Sequence, residues 1–400
     1  MQKNTHVLVI NCGSSSLKFS LIDLDTGHSI LSGIGEQLMS TEACLKINFA
    51  GNKIKQQLIA PYDHQVVIKA LVEKLKQENL TDHLYAIGHR VVHGGERYAN
   101  PVLIDEEVIK TITELAKLAP LHNPANLIGI AATQKAFPQL QQVAIFDTAF
   151  HQTMPEKAYV YALPYVLYRQ HGLRKYGFHG TSHYFVSQEA AKKINKPINE
   201  TSMITAHLGN GCSITAIAHG KSVDSSMGFT PLEGVMMGTR SGSIDPGIIF
   251  YLVEQLNFSL EEVNTLLNKK SGLLGISQLS NDCRALEQAA LIENNRLALL
   301  ALTMFSYQVA KSIASLSASL TQLDALVFTG GIGENSSYIR AQIIAHLSLL
   351  NFSIDEEKNH LIRFGKSGNI SKENSRPCWV IPTNEEWVIA EQTYQLLITE

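Results

Sequence analysis

The feature that most constrains this chain is a strand–turn–strand unit written twice. The first copy runs from His6 to Asp23: apolar Val7 to Ile10, a turn crowded with Gly13 and Ser14 to Ser16, then an alternating strand from Leu17 that carries Lys18. Such a turn gathers backbone N–H groups, hydroxyls and an ammonium, all of which donate to anionic oxygens, so it suits a phosphate. One Ser/Gly turn alone is also what a plain hairpin looks like. The second copy changes the reading. Met203 to Ile217 is again a strand, a Gly-rich turn closed by Ser213, and a strand. One phosphate hairpin in each half predicts an α/β chain of two similar domains facing each other across a nucleotide cleft. A third Gly turn, Leu326-Val-Phe-Thr-Gly-Gly-Ile-Gly-Glu-Asn, follows another buried strand.

Length and charge agree with that. Four hundred residues exceed one ordinary core and suggest two domains. A hydrophobic share of 45% with 17% charged residues describes an ordinary soluble protein. The net charge of −3 is spread without long like-charge blocks, which leaves a nucleic-acid role no electrostatic footprint. The five cysteines are scattered without C-x-x-C spacing, as expected of reduced thiols in the cytoplasm. Cys12 and Cys212 sit in the two turns and read as small side chains filling tight space, not as nucleophiles. The N-terminal apolar run is too short for a signal peptide, and the apolar stretch from Leu297 to Phe305 is too short to span a bilayer, so no membrane role is expected.

Along the chain, the stripe Val67, Ile68, Leu71, Val72 and Leu75 predicts a helix over 63–78. A short strand over 84–87 delivers His89-Arg-Val-Val-His-Gly-Gly. Asp105 is expected to cap one helix, and Asn123 another with Pro124 at its first position. The strand Val143 to Phe146 ends on Asp147, at the tip where α/β sheets keep their chemistry. Residues 148–178 cross into the second half, and their tyrosines read as packing. A helix follows His179-Gly-Thr-Ser-His183 as far as Asn195. The segment 224–247 is dense in glycine, which suggests backbone approaching a ligand. Ser259-Leu-Glu-Glu262 is a capping box. Residues 284–317 are helix-rich and apolar enough to be buried against a sheet or a second subunit. A strand over 324–329, a helix over 336–350, a strand over 379–381 and a helix opened by Thr383-Asn-Glu-Glu complete the chain.

The familiar nucleotide signatures are missing: no G-x-x-x-x-G-K-[ST], no G-x-G-x-x-G after the first strand, no protein-kinase motifs. His179 and His183 have the spacing of a helical zinc site but lack its glutamate and an obvious third ligand. Arg90 and Arg240 each lie in a Gly-flanked loop, and arginine is the side chain suited to forked contact with carboxylate or phosphate. Asn11, Asp147, Glu334 and Glu385 stand at element boundaries, either as oxygen ligands for Mg²⁺ or as simple caps.

Six long motifs in order make the chain resemble the acetokinase family over essentially its whole length. They are Asn11-Cys-Gly-Ser-Ser-Ser-Leu-Lys, His89-Arg-Val-Val-His-Gly-Gly, Gly177-Phe-His-Gly-Thr-Ser-His, Met236-Met-Gly-Thr-Arg-Ser-Gly-Ser-Ile-Asp-Pro-Gly, Phe328-Thr-Gly-Gly-Ile-Gly-Glu-Asn and Pro382-Thr-Asn-Glu-Glu. The resemblance implies duplicated actin-like (RNase H-like) domains, as in acetate and sugar kinases, heat-shock chaperone ATPases and actin. Residues 1–150, completed by a C-terminal helix over 384–400, would form one domain, and 151–383 the other. The implied reaction is reversible transfer from ATP to acetate, giving ADP and acetyl phosphate, in a cytoplasmic homodimer that uses Mg²⁺ or alternatively Mn²⁺.

By the same resemblance Asn11 and Glu385 serve the metal, and Lys18 reaches the nucleotide phosphates. His207, Leu208, Gly209, Asn210 and Gly211, then Asp282, Cys283 and Arg284, then Gly330, Gly331, Ile332, Gly333 and Glu334 match the nucleotide-binding segments. Arg90 matches the contact to the substrate carboxylate, Asp147 a catalytic acid, and His179 and Arg240 the transition-state stabilisers. Val92, Leu121, Phe178 and Pro231 match the apolar pocket for the substrate methyl. The nearest alternative acceptor is propionate. A chaperone-like or filament ATPase of the same fold would leave the paired arginines without a task.

Overall fold

Each of the two hairpins seeds a sheet. The computed structural model describes residues 5–120 and 122–399, which form two units: residues up to Ala149 with those from Asn384 on, and Phe150–Thr383.

In the first unit the strands are β1 (His6–Cys12), β2 (Ser16–Asp23), β3 (Ser29–Glu36), β4 (Cys44–Phe49), β5 (Asn52–Gln57), β6 (Leu84–Val91), β7 (Val102–Leu103) and β8 (Gln142–Phe146). They lie in the order β5-β4-β3-β2-β1-β6-β8-β7. Strand β1 is apolar and buried from Val7 to Ile10 because both faces of the sheet are covered there. Leu8 and Ile10 join the core made with Val67, Ile68 and Leu71 of the helix His64–Gln77. Val7 and Val9, facing the other way, pack with Ile389 and Ala390 of the C-terminal helix Glu385–Thr399. That helix is thereby fixed to the first sheet although the second unit separates it in sequence.

In the second unit the strands are β9 (Ser202–Leu208), β10 (Cys212–Ala218), β11 (Lys221–Ser225), β12 (Ala325–Thr329), β13 (Gly368–Asn369) and β14 (Cys378–Val380), in the order β11-β10-β9-β12-β14-β13. The pairing senses across β11-β10-β9-β12-β14 are antiparallel, antiparallel, parallel, parallel. Across β3-β2-β1-β6-β8 they are the same. The duplication first visible as two hairpins therefore extends over five strands of each sheet.

The helix Arg296–Ser317 is long and apolar enough to cross a membrane by composition. It buries Ala298, Ala301, Leu302, Phe305, Val309 and Ile313 within its unit and packs on the helices Gly272–Ser277, Cys283–Leu291 and Ser337–Ala345, as a core helix does.

Helix starts follow the local chemistry. Asp63 and Asp105 accept from the backbone N–H groups of Val66 and Val108 at 3.0 and 2.8 Å, and Ser259 with Glu262 closes a capping box. Asn123 departs from expectation: His122 is the cap residue and Asn123 opens the helix Asn123–Ala136. Its amide is engaged elsewhere, accepting from His93 N at 3.2 Å and donating to His93 O at 3.1 Å. The helix expected over 336–350 stops at Ala345, with Ser336 as its cap and a short 3-10 turn, Ser348–Leu350, beyond.

Candidate active site

Parallel strands deliver their C-terminal ends to one edge, and in the first unit register sets the side chains there side by side. Lys18 on β2 pairs with Asn11 on β1, Asn11 with Arg90 on β6, and Arg90 with Ile145 on β8. Asp147 follows β8, its N–H donating to Val91 O at 2.9 Å. The Arg90 guanidinium donates from Nε to Asp147 Oδ1 at 3.0 Å and from Nη2 to Asp147 Oδ2, a side-on fork. Nη1 donates to Asn11 Oδ1 at 3.3 Å, and Glu385 Oε2 lies 3.9 Å from Nε. Among the described residues these hydrogen bonds take three of the five guanidinium N–H groups and leave one on each terminal nitrogen.

Burial works against both charges of this pair. For Arg90 the Asp147 and Glu385 carboxylates more than offset it, and the pKa is raised. For Asp147, which is 1% exposed, burial outweighs the pull of Arg90, and Glu385 adds to it, so the carboxyl sits above the usual carboxylate range. Val92, just beyond β6, is buried, and its N–H donates to Asn126 Oδ1 at 3.0 Å. Asn126 Nδ2 in turn donates to Cys12 O at 2.7 Å, tying the end of β6 to the end of β1. Sequence reading passed over Asn126. Its signal is a pair of amides three residues apart in an apolar helix, which burial tolerates only with partners. Leu121 lies outside the described residues.

In the second unit His179 immediately precedes the helix Gly180–Lys193 and holds a left-handed backbone, φ 56° and ψ 29°. For a residue with a Cβ this costs on the order of 1–2 kcal/mol, strain of the kind kept where a side chain must be aimed. Nδ1 lies 2.9 Å from Ser213 Oγ, and the ring stacks on His207 with centroids 4.3 Å apart. Arg240 donates from Nη1 to Pro231 O at 3.2 Å, and burial lowers its pKa. The turn between β9 and β10 brings the two together. A Cβ placed on Gly211 would lie 3.3 Å from His179 Nε2 and 3.4 Å from Arg240 Nη1, so a cation and an imidazole converge on one bare stretch of backbone. Phe178 is buried, its carbonyl accepting from His151 Nε2 at 2.9 Å.

Next to this turn Gly209, Asn210, Asp282, Cys283, Arg284, Gly331 and Ile332 line a cavity of about 520 Å³. The segments they come from are far apart in sequence, and the fold gathers them. Asn281, Glu287, Asn335, Ser336, Arg363 and Phe364 complete its wall and were not legible in the sequence. Asp282 caps the helix Cys283–Leu291 and pairs with Arg284, which holds its carboxyl below the usual range. Leu208 and Gly333 are buried and do not line the cavity. Gly330 holds φ +76°, and a Cβ there would also lie 2.8 Å from Leu208 O, so backbone and surroundings both call for glycine. Glu334 Oε1 accepts from Gly330 N at 2.9 Å and Thr383 N at 3.1 Å, so this carboxylate clamps two backbone turns together.

A hairpin-led sheet repeated with identical pairing senses defines a protein of the duplicated actin-like class. Within that class the chain belongs to the acetokinase family, whose profile matches residues 6–391. It is 56% identical to an acetate kinase of Shewanella sp. (strain ANA-3) over 396 residues, 98% of this chain and 99% of that one. Among solved structures it is similar to a propionate kinase from Francisella tularensis subsp. tularensis SCHU S4, with TM-score 0.93, 46% identity, and 97% and 98% of the two chains covered. It is also similar to the acetate kinase of Porphyromonas gingivalis, with TM-score 0.92, 42% identity, and 98% and 100% covered.

Proposed function

We propose that this chain transfers the terminal phosphoryl group of ATP reversibly to acetate, giving acetyl phosphate and ADP by direct in-line displacement. The observation that carries the reading is the Arg90 fork. Asp147 occupies the side edge of the guanidinium, and each of its two terminal nitrogens keeps an N–H that can be offered to a second carboxylate. A carboxylic acid with a pKa of about 4 to 5 is ionised at neutral pH, so no base is needed to make the nucleophile. Asp147 then serves by fixing Arg90. Val92, Leu121, Phe178 and Pro231 are each assigned an apolar contact with the methyl group, where a sugar would ask for hydrogen-bonding partners.

The barrier lies in bringing one anion against another. Arg240 and His179 are assigned to the equatorial oxygens of the transferring group, where an arginine is worth roughly 10³ to 10⁵ in rate. In the second unit the backbone of 207–211 is assigned to the phosphates and the cavity beside Asp282, Arg284, Gly331 and Ile332 to the nucleoside; in the first unit Lys18 is assigned a phosphate contact.

Asn11 and Glu385 supply an amide oxygen and a carboxylate on the Arg90 row, a donor set that fits Mg²⁺, an ion that keeps water and phosphate oxygens as most of its ligands. No trio of His, Cys, Asp or Glu among the described residues offers a closed cage to a softer metal. When bound, Mg²⁺ neutralises phosphate charge and leaves the orientation of acetate to Arg90.

The protein is read as a cytoplasmic homodimer. Phe250, Tyr251, Leu299, Leu300 and Tyr307 are exposed apolar side chains that a second copy would cover, and sedimentation equilibrium checks the mass.

Hydroxylamine trapping of acyl phosphate, with Mg·ATP and acetate, propionate or butyrate in parallel, tests the reaction. Acetate should lead in kcat/KM. Propionate is the second reading, favoured by the likeness to the Francisella propionate kinase, because one methylene in an apolar pocket discriminates by only about 1 to 3 kcal/mol. ATP hydrolysis without acyl phosphate from any acid would overturn both.

A further inference from the structure

The second unit buries more histidine than the proposed transfer uses. His183 lies one turn along the helix from His179, with Nδ1 2.7 Å from Thr205 Oγ1 and Nε2 2.7 Å from Ser213 Oγ. Ser213 Oγ is also 2.9 Å from His179 Nδ1. Thr205, His183 and Ser213 are fully buried. A continuous chain of hydrogen bonds therefore runs from Thr205 on β9 through His183 and Ser213 on β10 to the ring of His179.

The chain has a direction. Burial, together with the neighbouring rings of His151 and His207, holds the pKa of His183 well below its usual value, so the ring is neutral and has a single N–H. Thr205 decides which nitrogen carries it. Among the described residues His183 is the one side-chain partner of the threonine hydroxyl. Were His183 to donate to it, the threonine proton would be buried without an acceptor, at a cost of about 1–3 kcal/mol. Thr205 O–H therefore donates to His183 Nδ1, His183 Nε2–H donates to Ser213 Oγ, and Ser213 O–H donates to His179 Nδ1. An Nδ1 that accepts leaves the proton of His179 on Nε2, the nitrogen that faces the Gly211 turn beside Arg240.

We infer that Thr205, His183 and Ser213 are positioning residues that hold His179 as a neutral imidazole with its proton on Nε2, ready to donate to a phosphoryl oxygen. The inference rests on the role proposed above for His179. Among the described residues, the titratable and charged groups around that ring include His207, stacked on it, and Arg240, converging on the same turn, with His183 and His151 behind Ser213. Arg240 supplies positive charge already, and a neutral donor adds a hydrogen bond without a second cation beside it. Unlike an imidazolium, it stays a donor as pH rises past the usual histidine range.

The test is the ¹⁵N imidazole spectrum of histidine-labelled protein, with resonances assigned by their loss in His179→Gln and His183→Gln. His179 should be the neutral Nε2–H tautomer through the neutral and mildly alkaline range. An imidazolium at neutral pH, or the Nδ1–H tautomer, overturns the inference. In kinetics Ser213→Ala should lower kcat about 10- to 100-fold, by analogy with the hydrogen-bond partners of metal-bound imidazoles, with KM for ATP and for acetate nearly unmoved. It should also acquire an alkaline limb in kcat, since a released ring keeps its Nε2 proton reliably only as the imidazolium. Ser213→Thr, which restores the hydroxyl, should recover most of the rate and lose the limb. A wild-type rate and profile in Ser213→Ala, or equal loss in both variants with the His179 tautomer unchanged, overturns it. The spectrum needs no turnover, so a protein that makes no acyl phosphate would sink the proposed reaction and leave the tautomer question answerable.

Discussion

At Arg240 and Asp147 charge is arranged for different tasks, and two substitutions separate them. Arg240 is anchored by Pro231 O and converges with His179 on the Gly211 turn. On the role proposed for it, which falls in the transition state, Arg240→Ala should lower kcat by about 10³-fold or more while KM for ATP moves little. Steady-state kinetics with saturating acetate decides it, and equal loss in both parameters would mean that Arg240 holds ground-state ATP instead. Asp147 is argued to fix Arg90, and its raised pKa gives that argument a sign. A carboxyl raised above its ordinary range takes up its proton at higher pH than usual, and once protonated it ceases to be a forked acceptor. In the native protein KM for acetate should therefore rise as pH falls into that window, above the titration of acetate itself. Asp147→Asn should show an already high KM that is flat across it. The kcat profile should keep its shape in both proteins, and a kcat limb that vanishes in Asp147→Asn would reassign Asp147 to proton transfer.

Two glycines separate turns that shape the fold from turns that shape the site. Gly330 has φ +76° and no space for a Cβ against Leu208 O, so Gly330→Ala should destabilise the second unit by roughly 1–3 kcal/mol, read as a lower urea midpoint. Gly211 meets the polar ends of His179 and Arg240 at 3.3 and 3.4 Å and shows no left-handed φ, so Gly211→Ala should leave the midpoint nearly unchanged and lower kcat about tenfold or more by pushing the two donors aside. The same contrast explains what sequence could tell. Hairpins, caps and core strands are set by neighbours in the chain, so β1, β2, β9, β10, Asp105 and Ser259 were legible. Asn123 misled because its amide is held by His93, thirty residues back, and no local pattern announces a buried backbone group in need of a partner. Arg363 and Phe364 reach the cavity wall from a segment without any motif, with Phe364 N held by Asn335 Oδ1 at 2.9 Å. Long-range satisfaction of polar groups is what the sequence withheld.

Over the whole molecule the buried histidines make stability depend on acid in each unit independently. His89, in the first unit, is fully buried against Gln142 Oε1 at 2.8 Å, and burial lowers its pKa to about 4. His151, in the second, sits between Ser222 Oγ and Phe178 O, and burial lowers it to about 4 as well. A histidine lowered from 6.5 on folding binds its proton more readily in the unfolded chain, so its contribution is whole above about pH 6.5 and shrinks as pH falls toward 4. Between pH 6.5 and 5 each should remove roughly 2 kcal/mol, close to a fifth of the stability of an ordinary domain. Two units with separate cores need not unfold in one step, so the measurement has to resolve them. Hydrogen exchange of peptides from β6 and β8, and from β9 and β10, provides that resolution at pH 7 and 5. Protection should fall in both sets on acidification. His89→Gln, which keeps a partner for Gln142 and removes the titrating ring, should blunt the loss in the first set alone. If protection in β6 and β8 still falls as steeply in that variant, the acid sensitivity of the first unit lies with its carboxylates, and burial of His89 contributes little to it.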